Sequence, residues 1–131
     1  MALGINGAAH RGALKATATD AAGTIAVVGA GLDIVYPDKR RDLAHKIVQH
    51  GLIVSEFPIG TSPKAQNSPR RNRIIRGLSL GCLVVEANMQ SGSLITAKLA
   101  LEKGRNVFAI PNSIHSPVQK VVIYSLSKVQ N

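Results

Sequence analysis

The chain has 131 residues, and its 45% hydrophobic content is sufficient for the core of one compact domain. Sixteen Lys and Arg against seven Asp and Glu leave a formal net charge of +9, which favours a polyanionic partner such as nucleic acid over a cationic one. One cysteine excludes an internal disulfide, and the apolar runs are far shorter than the roughly 20 residues of a membrane span. With no signal-peptide pattern at its start, the chain is predicted to be cytoplasmic and without a membrane partner.

Short β-branched runs alternate with helical patterns along the chain. This alternation predicts an α/β fold with a parallel sheet and helices on both of its faces. The helices are predicted at residues 5–17, 39–50, 68–78 and 91–103, and the strands at residues 24–29, 52–55, 82–86 and 106–111. Ligands of such sheets bind at the carboxyl ends of the strands, so the segments that follow each strand are the candidate sites.

A glycine pair follows the first predicted strand directly. Gly29-Ala30-Gly31 begins like the dinucleotide-binding fingerprint, but Ile34 stands where a third glycine would allow close helix packing. Tyr36-Pro37 then interrupts the helix that the fingerprint requires, which argues against an NAD site. Gly29 and Gly31 make either a tight exit from the strand or a loop whose amides contact a phosphate, and the sequence leaves both interpretations open.

The strongest local signal is a run of cations without acidic residues. No Asp or Glu lies between Glu56 and Glu86, and within this interval residues 64–76, which we call the basic segment, contain Lys64, Gln66, Asn67, Arg70, Arg71, Asn72, Arg73 and Arg76. Ser68-Pro69 predicts a helix N-terminus inside the segment, with serine as the N-cap. Guanidinium groups bind phosphates through paired hydrogen bonds, and a helix N-terminus adds positive potential. The basic segment therefore predicts binding of an anionic backbone, whereas a solvated helix face would usually carry interspersed acids.

A second candidate anion site lies at the predicted start of the last helix. The amides of Ser91-Gly92-Ser93 would point to the carboxyl ends of the strands, where a phosphate could bind. The alternative is a plain N-cap, for which one serine is sufficient. Glu86 is the only carboxylate nearby in sequence, so paired acid–base catalysis is not supported.

The remaining reactive and aromatic side chains carry weaker signals. No metal or cofactor is predicted, because metal-ligand spacing is missing among His10, His45, His50, His115 and Cys82. Tyr36 and Phe57 come just after strands, where a ring could stack on a base, with core packing as the slightly favoured alternative. Cys82 and Phe108, both in strands, are predicted to be core residues.

Taken together, several stretches resemble the DNA-processing protein A family, also called Smf. They follow the family's order from Ala2 to about Pro117 and include Gly29-Ala30-Gly31-Leu32-Asp33, Leu52-Ile53-Val54-Ser55-Glu56-Phe57-Pro58, Pro69-Arg70-Arg71-Asn72-Arg73 and Ser91-Gly92-Ser93-Leu94-Ile95-Thr96. The resemblance implies a Rossmann-like domain that binds single-stranded DNA without catalysis. It also implies that the protein protects this DNA and loads the RecA recombinase during natural transformation.

The resemblance and the residue patterns together predict which residues contact DNA. Basic side chains and glycine loops are expected on the DNA backbone, and the predicted set is Gly29, Gly31, Phe57, Lys64, Asn67, Arg70, Arg71, Asn72, Arg73, Ser91, Gly92 and Ser93. No metal ion and no cofactor are expected in this site.

The chain departs from the family pattern in three places. The family has strands with a Gly-Ser-Arg phosphate loop before the first matching stretch, and Asn6 replaces the usual aspartate of a Gly-Ile-Asp motif. Beyond Pro117, the segment that completes the family's domain and contributes to its homodimer is replaced by an unrelated one. We therefore expect a partial domain over residues 1–117 without the N-terminal strands and a divergent tail over residues 118–131. The resemblance implies a homodimer for the family, and because this segment differs we do not expect that dimer for this chain.

The alternative function is that of a Rossmann-like nucleotide enzyme of the lysine-decarboxylase-like phosphoribohydrolase group. Such enzymes carry Pro-Gly-Gly-x-Gly-Thr before a glutamate. This chain has Glu86-Ala87-Asn88-Met89-Gln90 at the corresponding place, so the motif is missing. The sequence favours a DNA-binding protein over an enzyme.

Overall fold

The computed structural model describes residues 4–16, 23–35, 39, 41–85 and 92–110. In chain order these form α1 (Ile5–Ala16), β1 (Ile25–Val27), α2 (Arg41–His50), β2 (Leu52–Val54), α3 (Asn67–Leu78), β3 (Gly81–Val84), α4 (Gly92–Leu101) and β4 (Asn106–Ala109). The predicted α/β alternation is confirmed. All elements lie within the ranges predicted from the sequence except α3 and β3, which begin one residue earlier.

The strands of the described residues form two parallel pairs. Ile25 of β1 lies opposite Leu52 of β2, and Leu83 of β3 lies opposite Phe108 of β4. Each pair is connected through a helix, α2 in the first and α4 in the second, as parallel strands require. The chain divides into two compact units, residues 1–74 and residues 75–131, where the length alone suggested one domain.

The core of residues 1–74 lies between α2 and the strand pair β1–β2. Ala26 and Ile47 are fully buried, and Leu43 is buried beside them. Leu43 and Ile47 are four residues apart, so they lie on one face of α2, and Leu14 and Ile53 pack against the same cluster. This packing holds the carboxyl ends of β1 and β2 side by side.

Within residues 75–131, the described core lies between α4 and the strand pair β3–β4. Val84 and Ala97 are buried, and Cys82, Val107 and Ala109 pack against them. The prediction that Phe108 is a core residue is wrong, because 58% of it is exposed. Successive side chains of a strand point to opposite faces, so the packing of Val107 and Ala109 against α4 directs Phe108 to the other side.

The described helices are all short. None of them is long and apolar enough to cross a lipid bilayer. The predictions for Tyr36, Glu86, Ser91, His115 and the tail from residue 118 lie outside the residues that the structure describes.

Candidate nucleic-acid interface

The loops that follow β1 and β2 are bonded to each other at the carboxyl ends of these strands. The Gly31 amide donates to the Thr61 carbonyl at 2.9 Å, and the Gly60 amide donates to both carboxylate oxygens of Asp33 at 2.9 and 3.1 Å. A Cβ on Gly31 would lie 2.7 Å from the Pro58 carbonyl oxygen. Gly31 is therefore required for the close approach of the two loops, whether or not it also contacts a ligand.

The Ser55 side chain, directly after β2, also connects the same two loops by hydrogen bonds. Its hydroxyl donates to the Ala30 carbonyl at 2.7 Å and accepts the Phe57 amide at 3.0 Å. Neither Ser55 nor Asp33 is among the site residues predicted from the sequence. A serine directly after a strand does carry a recognisable signal, since its hydroxyl can bond the backbone two residues on.

Asn67 joins the start of α3 to the loop after β1. Its side-chain amide donates to the Gly29 carbonyl at 2.8 Å, and only 7% of the residue is exposed. The expected N-cap at Ser68 is wrong, because α3 begins at Asn67. Pro69 still falls in the first turn, where its missing N–H leaves no helical bond unmade.

These ties leave a cleft of about 320 Å³ in residues 1–74. Its wall is mostly apolar, and its polar side is formed by the basic segment and the loop after β1. The lining residues include Gly29, Ala30, Ile34, Lys64, Ser68 and Arg71. The cleft lies at the carboxyl ends of the strands, and its volume is within the range of small-ligand pockets.

Arg71 brings a partly buried positive charge to this cleft. Its Nε and Nη2 donate to the Asn72 side-chain oxygen at 3.2 and 2.9 Å. Burial lowers the pKa of Arg71 from its ordinary value, yet an arginine remains protonated at neutral pH. Because the amide oxygen of Asn72 is neutral, this contact orients the guanidinium group without neutralising it.

Arg70 and Arg73 lie along the exposed side of α3, and both contact one carboxylate. Glu56 Oε2 lies 2.5 Å from Arg73 Nη2, and Glu56 Oε1 lies 3.4 Å from Arg70 Nε. The expectation that the basic segment is unneutralised is therefore wrong for these two arginines. Glu56 lies just outside the acid-free interval in sequence, and the fold brings it onto α3.

Phe57 lies beneath Arg70. The Arg70 guanidinium carbon is 4.8 Å from the centre of the Phe57 ring, and the residue is 8% exposed. The interpretation of Phe57 as a packed residue is confirmed. Its ring is covered by Arg70, so it does not present a free face at the surface.

The predicted site residues thus fall into four groups: at the cleft, buried, exposed and paired with Glu56, or at the start of α4. Gly29, Lys64 and Arg71 line the cleft, with Gly31 and Asn72 adjacent in sequence to lining residues. Asn67 and Phe57 are buried, while Arg70 and Arg73 are exposed and paired with Glu56. Gly92 and Ser93 begin α4 in the second unit, so the predicted helix start there is confirmed, and Ser91 lies outside the described residues.

The chemistry of this surface suits a ligand with both phosphate and ring groups. The cationic side chains can neutralise phosphates, and the apolar cleft wall can accept an uncharged ring. Among the residues that the structure describes, no three His, Cys, Asp or Glu side chains come together as a metal site would need.

Comparison with known proteins identifies one family. Residues 1–125 match the model of the family described as DNA recombination-mediator protein A. The chain is 51% identical to Protein Smf of Escherichia coli over 118 residues, which cover 89% of this chain and 30% of that protein. It is 48% identical to DNA processing protein DprA of Streptococcus pneumoniae over 114 residues, which cover 87% of this chain and 39% of that protein.

Solved structures give the same result. The X-ray structure of DNA processing protein A from Streptococcus pneumoniae matches with a TM-score of 0.81 and 43% identity, over 95% of this chain and 43% of that one. DNA processing protein A from Helicobacter pylori, whose structure is described for its single-stranded DNA binding mode, matches with a TM-score of 0.73 and 29% identity, over 82% and 49% of the two chains. The chain therefore spans less than half the length of each of these relatives.

Proposed function

Because this chain belongs to the DNA recombination-mediator protein A family, we propose that it binds single-stranded DNA through the cleft and the basic segment. One observation carries the proposal. Arg71 and Lys64 both line the cleft, and the neutral Asn72 side chain orients the Arg71 guanidinium group. Within the described residues no carboxylate is paired with Arg71, so a phosphate that enters the cleft can bind this charge directly.

The binding mode follows from the two sides of the cleft. Phosphates bind to Lys64 and Arg71, and a base or sugar packs on the apolar wall. A flexible single strand can place a phosphate and a base in one cleft, whereas the bases of a duplex are stacked and paired. The site thus favours single strands.

We extend the proposal from the site to the biological role. The chain takes part in DNA processing during natural transformation, in the cytoplasm, where it protects single-stranded DNA and delivers it to RecA. It acts by binding and not by catalysis. The family description and the names of the relatives support this role.

Fluorescence anisotropy with a labelled oligo-dT at several salt concentrations tests the binding. Each phosphate that the protein neutralises contributes about −0.7 to the slope of log K against log salt. Changing Arg70, Arg71 and Arg73 together to Ala is expected to weaken binding and flatten this slope. Arg11→Ala removes a charge from exposed α1 and serves as the control. Binding that is independent of salt, or equal in the triple variant, would contradict the proposal.

A second assay addresses catalysis. Incubation with nucleoside monophosphates, followed by chromatography for free base, is expected to show no product. Release of base that disappears in Glu86→Ala would instead support the phosphoribohydrolase alternative.

A further inference from the structure

We propose that Arg70 is a stacking platform for an unpaired base, backed by Phe57 and positioned by Glu56. This inference rests on the proposed DNA binding and specifies which part of the DNA this side of α3 contacts. It assigns Arg70 to a base, while Arg71 and Lys64 are assigned to phosphate.

The first observation is the layering of the side chains. The Arg70 guanidinium group lies over the Phe57 ring at 4.8 Å, and Phe57 is 8% exposed. The Arg70 side chain is 62% exposed. The guanidinium group is therefore supported by the ring from below, while most of the Arg70 side chain is accessible from solvent.

The second observation is the way Arg70 is held. Glu56 lies between Arg70 and Arg73, with its two carboxylate oxygens directed to different guanidinium groups. The Glu56 side chain is 22% exposed, and within the described residues its Oε1 accepts no hydrogen bond. Glu56 is flanked by Ser55 and Phe57, which are bonded to each other through the Ser55 hydroxyl. Arg70 therefore loses less conformational freedom on binding than an unsupported arginine would.

The charge of Arg70 also favours a base over a phosphate as its ligand. Glu56 contacts both Arg70 and Arg73, so it offsets part of the positive charge that would otherwise attract a phosphate. Stacking does not need that charge to be free, since the flat guanidinium plane packs on the π-face of a base. Arg70 is consequently better suited to a base than to the backbone. In a duplex the faces of the bases are hidden, so such a platform also selects single strands.

The test compares two oligomers of equal length and phosphate number, one of dT and one in which the same positions are abasic. The unchanged 131-residue chain is expected to bind the dT oligomer about fivefold or more tightly, since stacking of a base makes a contribution of this order. Arg70→Lys keeps the positive charge but loses the plane. It is expected to reduce the preference for dT to what packing of a base on the cleft wall contributes, while leaving the salt dependence of binding unchanged.

Three further variants separate the roles of the neighbouring residues. Arg71→Lys, the matched control, is expected to keep the dT preference because Arg71 is assigned to phosphate. Glu56→Gln releases Arg70 and Arg73, so it is expected to reduce the preference and to raise affinity for the abasic oligomer. Phe57→Leu keeps an apolar support but loses the ring, and is expected to reduce the preference as well.

The outcomes distinguish this inference from the proposed function. Equal binding of the two oligomers by the unchanged chain, or a full dT preference in Arg70→Lys, would overturn the platform and leave DNA binding in place. Failure to bind either oligomer at any salt concentration would overturn both.

Discussion

Residues 1–74 and residues 75–131 share one plan, a parallel strand pair connected through a helix, but they differ in how the polar groups around the strands are used. In the first unit, Asp33, Ser55 and Asn67 bond the loops at the carboxyl ends of β1 and β2 to one another. In the second unit, most residues that follow β3 and β4 lie outside the described part of the chain, and a described bond joins the Ser79 hydroxyl to the Ile75 carbonyl at the end of α3. In the first unit, polar bonds between loops thus complete a cleft at the carboxyl ends of a simple parallel strand pair.

The two units also differ in their cores. The first buries Ile47 completely, whereas the buried apolar residues among the described part of the second are Val84, Ala97 and Ala100. In the second unit Leu83 and Phe108, which lie opposite each other across β3 and β4, are each 58% exposed. The first unit is therefore expected to derive more stability from any single core side chain.

The largest expected effect comes from removing that side chain. Ile47→Ala should destabilise the protein by about 2–5 kcal/mol, because it leaves a cavity in a closed core. Val84→Ala removes a smaller side chain and should cost less. Urea denaturation measures both. Val48→Ala, at a 64% exposed position of the same helix, should change stability by no more than about 0.5 kcal/mol. A cost for Val84→Ala equal to that of Ile47→Ala would contradict the difference between the cores.

The next effect concerns the contact between loops. Gly31→Ala should cost about 1–3 kcal/mol, since its Cβ would overlap the Pro58 carbonyl and the Gly60 amide. Gly12→Ala is the matched control, because a Cβ there meets nothing within 4 Å and alanine favours helix by about 1 kcal/mol. Thermal unfolding of both variants is the measurement. If Gly31→Ala were as stable as Gly12→Ala, the close approach of these loops would not exist in solution.

An effect of similar size on stability is expected at the start of α3. Asn67→Ala removes the bond to the Gly29 carbonyl and should cost about 1–3 kcal/mol. It should also weaken DNA binding, because Gly29 and Ser68 line the cleft. Gln66→Ala changes an exposed neighbour and should leave stability and binding nearly unchanged. Denaturation measures the stability of both variants, and anisotropy measures their DNA binding. If Asn67 affects binding by holding the loop in place, both quantities fall together. A loss of binding without a loss of stability would instead indicate direct contact with DNA.

The smallest effect is one of pH in the second unit. Burial raises the pKa of the Cys82 thiol, so in the folded protein it stays neutral to higher pH than in the unfolded chain. The contribution to stability is therefore full below the unfolded pKa of about 8.5 and is lost as the pH rises through the folded pKa. Denaturation at pH 7.5 and pH 10, with Cys82→Ser as the control, measures it. Equal loss of stability in the variant would assign the pH effect to other groups.

The periodicity of the sequence predicts helices and strands well here because it reports local spacing. Leu43 and Ile47 lie on one face of α2 as any helix would place them, and the strands of each pair are parallel because a helix separates them. For Phe108, local spacing is not sufficient to predict whether the side chain is buried. An apolar strand indicates burial on average, but which alternate side chains are covered depends on where α4 packs, which the strand itself does not encode.

The α/β alternation, the family and the presence of a basic segment all follow from the sequence alone. Which of the described arginines are paired with a carboxylate follows only from the tertiary structure. Glu56 lies 14 and 17 residues before Arg70 and Arg73, and it reaches them because β2 and α3 bring the two segments together. The burial of Asn67 and the covering of Phe57 by Arg70 have the same origin. Charge and burial depend on neighbours in space, and those neighbours are distant along the chain.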